Sequence, residues 1–264
     1  MPRLISAPFF SATPVFSRAE YAAALGRAPA EKVVTTMLAQ HLKAGNIRRI
    51  ARGVFASVPK HADAGAWSVD RFLAASRLRA GGVIAYHAAL ELHGYAYTCG
   101  FEVQVIAPGE PGLLQTADFP CRFVKFPRGF APPDGVAVVD RLGLDVKVTT
   151  VERTVADLFD RPDLAGGAEE LFNSLDLVER IDARTLARHL GSLGNATAAG
   201  AAGWWLAREQ ARLGAPAGVV EDLRALAPRQ TRYGLGAKPG EGKVASGWNV
   251  ILPAEVIEHR FEGL

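Results

Sequence analysis

The spacing of glycine and proline over residues 14–58 constrains this chain more than any other feature, because it cuts the segment into two short helices and two short strands. After Pro14, Ser17 offers the side-chain oxygen of an N-cap, which predicts a helix over Arg18 to Leu25 stopped by Gly26. A second helix is predicted to start near Pro29 and run from Ala30 to Ala44, with Gly45 closing it. On it Val34, Met37, Leu38, His41 and Leu42 recur at helical spacing as a packing face, while Lys32, Thr35, Thr36, Gln40 and Lys43 lie toward the other side. Ile47 to Val58 then reads as two β-prone runs meeting at Arg52-Gly53, where glycine permits a tight turn. Helix, turn, helix and basic hairpin in that order describe a winged helix-turn-helix, whose second helix enters the major groove of duplex DNA while the wing grips the flanking backbone. Arg48, Arg49 and Arg52 are therefore expected on phosphates, and Lys32, Thr35, Thr36, Gln40 and Lys43 on base edges or phosphates. A preceding helix is expected to be stunted, because Pro8 interrupts residues 3–11.

Charge follows the same division. Residues 1–60 hold nine Lys or Arg against two acids, Glu20 and Glu31, a net of +7, and the remainder carries −4 of the overall +3. A cationic head on a weakly acidic body suits a phosphate-binding module, since each neutralised phosphate releases condensed counterions. Cys99 and Cys121 lack CxxC spacing, so neither a zinc site nor a disulfide framework is expected. The apolar run Leu4 to Phe16 is broken by Pro8 and Pro14 and reads as no export signal, and no apolar stretch reaches membrane-spanning length. A cytoplasmic location is expected.

Pro59, Asp63 and their small neighbours place a linker near residue 62, dividing the chain into a winged helix (1–62) and a larger body (63–264). In the body, Ser68 is expected to cap a helix to Arg79, and Tyr86 to His93 forms another ended by Gly94. Strand-like runs follow at Phe101–Ile106, Cys121–Phe126, Val136–Val139 and Leu144–Val148. Thr149 or Thr150 then caps a helix from Val151 to Phe159. Further helical patterns occupy Ala168–Leu175, Ala183–Leu190, Thr197–Leu213 and Val219–Leu226, and a strand over Lys243–Leu252 closes the chain. Strands before helices predict an α+β body rather than a repeated βαβ unit.

Catalytic patterns are missing from this body. His87 and His93 stand six apart and Glu152 and Asp157 five apart, neither spacing suited to a shared metal on one helix face. No GxSxG, Walker A or GxGxxG motif stands in the chain, and the Gly234–Gly242 loop has no strand before it. At least one of Trp204 and Trp205, mid-helix in an alanine-rich segment, is expected in the core. The reading is of a protein without enzymatic activity, metal or cofactor.

Five separate segments together resemble one family. They are Pro14-Val15-Phe16, the wing Gly45-Asn46-Ile47-Arg48-Arg49-Ile50-Ala51-Arg52-Gly53-Val54-Phe55, the helix Tyr86 to Gly94, the run Val148 to Asp157, and Ser246-Gly247-Trp248-Asn249. In that order they resemble the AbiEi-type antitoxins of type IV toxin–antitoxin, or abortive infection, systems. The resemblance implies an N-terminal winged helix that represses its own operon by binding inverted repeats in promoter DNA. It also implies a C-terminal antitoxin domain that counteracts a cognate nucleotidyltransferase-type toxin. Arg48, Arg49 and Arg52 match the basic wing of that family, whereas the segments Tyr86–Gly94 and Thr149–Asp157 suit fold maintenance as well as toxin control. The competing reading is a stand-alone winged-helix repressor whose body binds a small effector, and a nucleotidyltransferase-like reading frame directly downstream would distinguish the two. A DNA-acting enzyme ranks behind both.

Overall fold

The computed structural model describes residues 2–59 and 67–258. Its first helix, α1 (Pro2–Ala12), runs through Pro8 and is fuller than the stunted element expected. Proline removes one helix donor and crowds the preceding turn, and aromatic packing supplies the compensation. Phe9 and Phe10 lie with ring centroids 5.1 to 5.8 Å from Phe16 and Tyr21. Strand β1 (Val15–Ser17) follows, and then α2 (Arg18–Ala24), whose Ser17 and Glu20 cap it reciprocally through side chain and backbone. Helix α3 (Lys32–Lys43) starts two residues later than expected, because Glu31 has extended backbone and its carboxylate accepts from Ala28 N at 2.7 Å. The wing is β2 (Ile47–Ala51) and β3 (Val54–Ser57), and β1 pairs antiparallel with β3 to complete a three-stranded sheet. Phe16, Tyr21, Val34, Met37, Leu38, Ile47 and Phe55 form the shared core of these elements.

By its contacts the chain divides into two compact units, the first comprising residues 1–84, 101–125 and 138–147. It therefore reaches past the boundary expected at residue 62, which itself lies outside the described residues. Beyond the head stands α4 (Arg71–Leu78), capped by Asp70 rather than by Ser68, with Leu73 N donating to the Asp70 carboxylate at 2.8 Å. β4 (Val83–Ile84) precedes α5 (Tyr86–His93), and β5 (Val103–Ile106), β6 (Gly112–Gln115), β7 (Pro120–Val124), β8 (Val136–Arg141) and β9 (Leu144–Thr149) follow. The six-stranded sheet has the order β6-β7-β5-β4-β9-β8, with β5 and β7 parallel. β6 escaped sequence reading because all four of its residues are exposed, so no alternation of burial marks it. The head is tied to this sheet and to α4: among other contacts, Ala117 N donates to Ile50 O at 3.1 Å, and Arg77 pairs with Glu20 at 3.0 Å.

The second unit, residues 85–100, 126–137 and 148–264, is mostly helical. It contains α5, α6 (Val151–Asp160), a 3-10 turn at Pro162–Ala165, α7 (Ala168–Asp176), α8 (Ala183–Leu193) and α9 (Ala196–Arg208). α10 (Gln210–Leu213) is separated from α9 at Glu209, where one continuous helix was expected, and α11 (Ala217–Leu226) follows. A small sheet of β10 (Arg232–Tyr233), β11 (Gly242–Ala245) and β12 (Val250–Pro253) precedes α12 (Ala254–Glu258). The single closing strand expected over Lys243–Leu252 is thus an antiparallel hairpin, turned through Ser246–Asn249. That turn needs left-handed backbone at Gly247 (φ 81°) and Asn249 (φ 51°), residue types that tolerate it. It drives Trp248 against α9, whose residues Ala198 to Leu206 are all buried.

A Cβ on Gly203 would lie 2.2 Å from the Trp248 ring, so this helical glycine exists to admit the indole. Gly203→Ala is expected to destabilise the protein by about 3 kcal/mol through overpacking. Gly218→Ala, at a helical site with nothing within 4 Å of the added methyl, should leave stability unchanged or raise it. Urea unfolding of the two variants checks the contrast.

Candidate nucleic-acid interface

The packing face of α3 is spent on the head core, where Val34, Met37 and Leu38 are buried, and this fixes what the helix shows to solvent. Lys32, Thr35, Thr36, Gln40 and Lys43 are all exposed, as is Ala39 between them. At 100° per residue they fall within an arc of about 140°. Thr36 Oγ1 donates back to Lys32 O at 3.0 Å. Thr35 has a neighbour that no local pattern signals: Arg18 donates from Nη2 to Thr35 Oγ1 at 2.6 Å and from Nε to Pro29 O at 2.6 Å. Only the folding of α2 onto the α2–α3 turn brings residues 18 and 35 together.

The wing separates its arginines. Neighbouring residues of a strand point to opposite faces, so Arg48 and Arg49 cannot both meet one surface. Arg48 turns toward the β6–β7 connection, where its Nη2 lies 2.6 Å from Asp118 and its guanidinium stacks 5.0 Å from the centre of the Trp67 ring. The structure thus places Arg48 in an ion pair with Asp118, where the side chain braces the wing. Arg49 is exposed over Phe55 at 5.8 Å, and Arg52 is exposed at the turn beside Gly53, whose φ of 80° suits glycine.

The head has only two acids, and both are occupied. The Glu20 carboxylate accepts from Ser17 N and pairs with Arg77, while that of Glu31 accepts from Ala28 N and lies 3.6 Å from Arg27. Among the described residues, Lys32, Lys43, Arg49 and Arg52 face solvent without a carboxylate partner.

In the second unit the two segments singled out by resemblance form interior structure. His87, buried on α5, lies 3.0 Å from Glu170 through Nε2 and 3.3 Å from Glu91 through Nδ1. The same carboxylates accept from the backbone N–H groups of Thr98 and Gly100, which fastens the loop after α5. Burial pushes the His87 pKa down, but its hydrogen bonds to the two glutamates prevail and hold it above 6.5. Burial opposes the Glu170 charge, yet His87, Thr98 and Ser174 together keep its pKa below the ordinary value. On α6, the buried Arg153 donates from Nε to both Asp157 oxygens at 2.9 and 3.0 Å. Burial still raises the Asp157 carboxyl to about 6.

No group of three or more His, Cys, Asp or Glu suited to a metal occurs among the described residues. An open groove of about 680 Å³ lies between α8 and α11, lined by Arg184, Arg188, Val219 and Leu226 among others. Cys99 and Cys121 are free thiols, and no described helix is long and apolar enough to cross a membrane.

No family model matches the chain, and no protein of curated function matches it in sequence. Among solved structures it is similar to the RV2827C protein of Mycobacterium tuberculosis, with a TM-score of 0.67 and 18% identity over 97% of this chain and 91% of that one. The likeness is one of fold. It extends across both units and supports the mixed α+β architecture as a whole. Identity this low transfers no binding partner or chemistry.

Two expectations follow. A double-mutant cycle of Arg48→Ala and Asp118→Ala should give a coupling of about 0.5–1 kcal/mol, the scale of a partly exposed pair; a coupling indistinguishable from zero would remove the brace. The second concerns pH. A histidine with a raised pKa adds stability that is complete below its unfolded pKa and lost as pH rises through the folded one. Glu170, with a lowered pKa, loses its contribution as pH falls through that value. Urea unfolding followed from about pH 6 to about pH 9 should therefore show stability declining as pH rises, with His87→Gln flattening that decline.

Proposed function

We propose that the chain is the antitoxin and transcriptional autorepressor of a type IV toxin–antitoxin operon. Its N-terminal winged helix binds double-stranded promoter DNA at inverted repeats, and its C-terminal unit counteracts a nucleotidyltransferase-type toxin without catalysing a reaction itself. The observation that carries the DNA-binding half is the uncompensated positive charge of the head. Among the described residues, Lys32 and Lys43 on α3, with Arg49 and Arg52 on the wing, have no carboxylate partner, Glu20 and Glu31 being engaged within the head and with Arg77.

The roles divide by geometry. Thr36 and Gln40 lie midway along the exposed face of α3, where an inserted helix meets base edges. Lys32 and Lys43 stand toward its two ends, and with Arg49 and Arg52 they supply phosphate contacts. The antitoxin half rests on the resemblance of the segments Tyr86–Gly94, Val148–Asp157 and Ser246–Asn249. In this chain Tyr86–Leu90, Arg153–Asp157 and Trp248 are buried in the second unit, so toxin control would be a property of the outer surface they support.

Fluorescence anisotropy with a duplex from the chain's own promoter region tests the first half. Affinity should fall steeply with salt, and Arg52→Ala should lower the slope of log K against log salt by about one. Arg48→Ala should leave that slope unchanged, its charge being paired already. Salt-independent binding would reject the reading. For the second half, co-expression with the adjacent gene should rescue growth that the adjacent gene alone arrests, and the absence of rescue counts against an antitoxin.

A further inference from the structure

Thr35 carries a hydroxyl with one proton to give and two lone pairs to accept with. Arg18 Nη2 donates into one of those lone pairs at 2.6 Å, and the direction is fixed because a guanidinium cannot accept. The Thr35 proton is therefore aimed elsewhere, and among the described residues it has no acceptor. Thr36 differs, since its proton is used on Lys32 O. Arg18 is itself half committed: Nε holds Pro29 O, Nη2 holds Thr35, and Nη1 keeps its two N–H groups unused among the described residues. Its charge has no carboxylate partner there either. Lys32, three residues before Thr35, adjoins it on the helix surface.

We infer that Arg18 and Thr35 form a seat for one phosphodiester oxygen of duplex DNA, which rests on the DNA-binding reading above and adds to it a residue from α2. The pair offers several free donors against one remaining hydroxyl lone pair, carries a charge with no carboxylate partner among the described residues, and is held rigid by two hydrogen bonds from one planar group. An anionic oxygen accepts several charge-assisted hydrogen bonds at once, whereas a guanine edge, which accepts through N7 and O6, is neutral. The guanidinium also polarises the Thr35 O–H, which strengthens its donation. By clamping Pro29 O and Thr35 together, Arg18 ties the α2–α3 turn to the first turns of α3, so a phosphate on this seat would set how deeply α3 enters the groove.

The test compares the full chain with Thr35→Val, Thr35→Ser and Arg18→Met, using a mixed-sequence duplex and a promoter-region duplex over a salt series. Thr35 is exposed, and Val keeps its shape while removing the proton. Thr35→Val should weaken binding to both duplexes equally, by about tenfold. Thr35→Ser should bind as wild type, and Arg18→Met should lower the salt slope by about one. Wild-type affinity in the Val variant would overturn the seat, and so would weakening confined to the promoter duplex, which would place the hydroxyl on a base edge. If the wild-type chain binds neither duplex, the DNA reading falls with it; where the wild type binds, failure of the variants to differ belongs to the seat alone.

Discussion

The aromatic cluster of the head is the contact on which the DNA-facing surface depends. Phe9 and Phe10 of α1, Phe16 of β1, Tyr21 of α2 and Phe55 of β3 meet with centroids 5.1 to 5.8 Å apart, so one cluster joins four elements. Rings of this size bury large apolar areas and add edge or stacking terms to that burial. Since α3 packs Val34, Met37 and Leu38 into the same core, its polar residues have one direction left to face. The cluster also explains how α1 tolerates Pro8: the lost helix bond is local, while the packing is shared across the head.

Electrostatics then decides which cations remain open to a partner. Glu20 is drawn to Ser17 N and Arg77, and Glu31 to Ala28 N and Arg27, leaving α3 and the wing tip positive. Arg48 stiffens the wing through its ion pair with Asp118, and Ala117 N adds a backbone bond to the same wing strand. The wing is thus braced by residues far along the chain, and the head is not mechanically separate from the sheet of its own unit. A basic residue on a hairpin is no guarantee of a basic surface, because a strand gives half its side chains to each face.

Buried ions in the second unit serve its architecture. A fully buried charge is tolerated only when paired and hydrogen-bonded, and Arg153–Asp157 and Glu91–His87–Glu170 meet that condition within α5, α6 and α7. They hold backbone as well as charge, since Thr98 and Gly100 donate to the same carboxylates. Any role in toxin control would have to be read on the surface these groups support.

The sequence alone determined the local elements of the head and most of those of the body. Ser17, Gly26, Gly45 and Gly53 act through capping and backbone conformation within a few residues, so α2, α3 and the hairpin were legible, as were the exposed residues of α3. Tertiary structure decided everything that required distant residues to meet. β6 carried no burial alternation, the Arg48–Asp118 pair joins positions seventy residues apart, and Arg18 reaches Thr35 only once α2 and α3 have packed. Gly203 makes room for Trp248, which a distant hairpin brings onto α9. The physical reason is common to all four: propensity and periodicity act through the backbone over one or two turns, whereas charge pairing and volume exclusion depend on which surfaces the folded chain brings together.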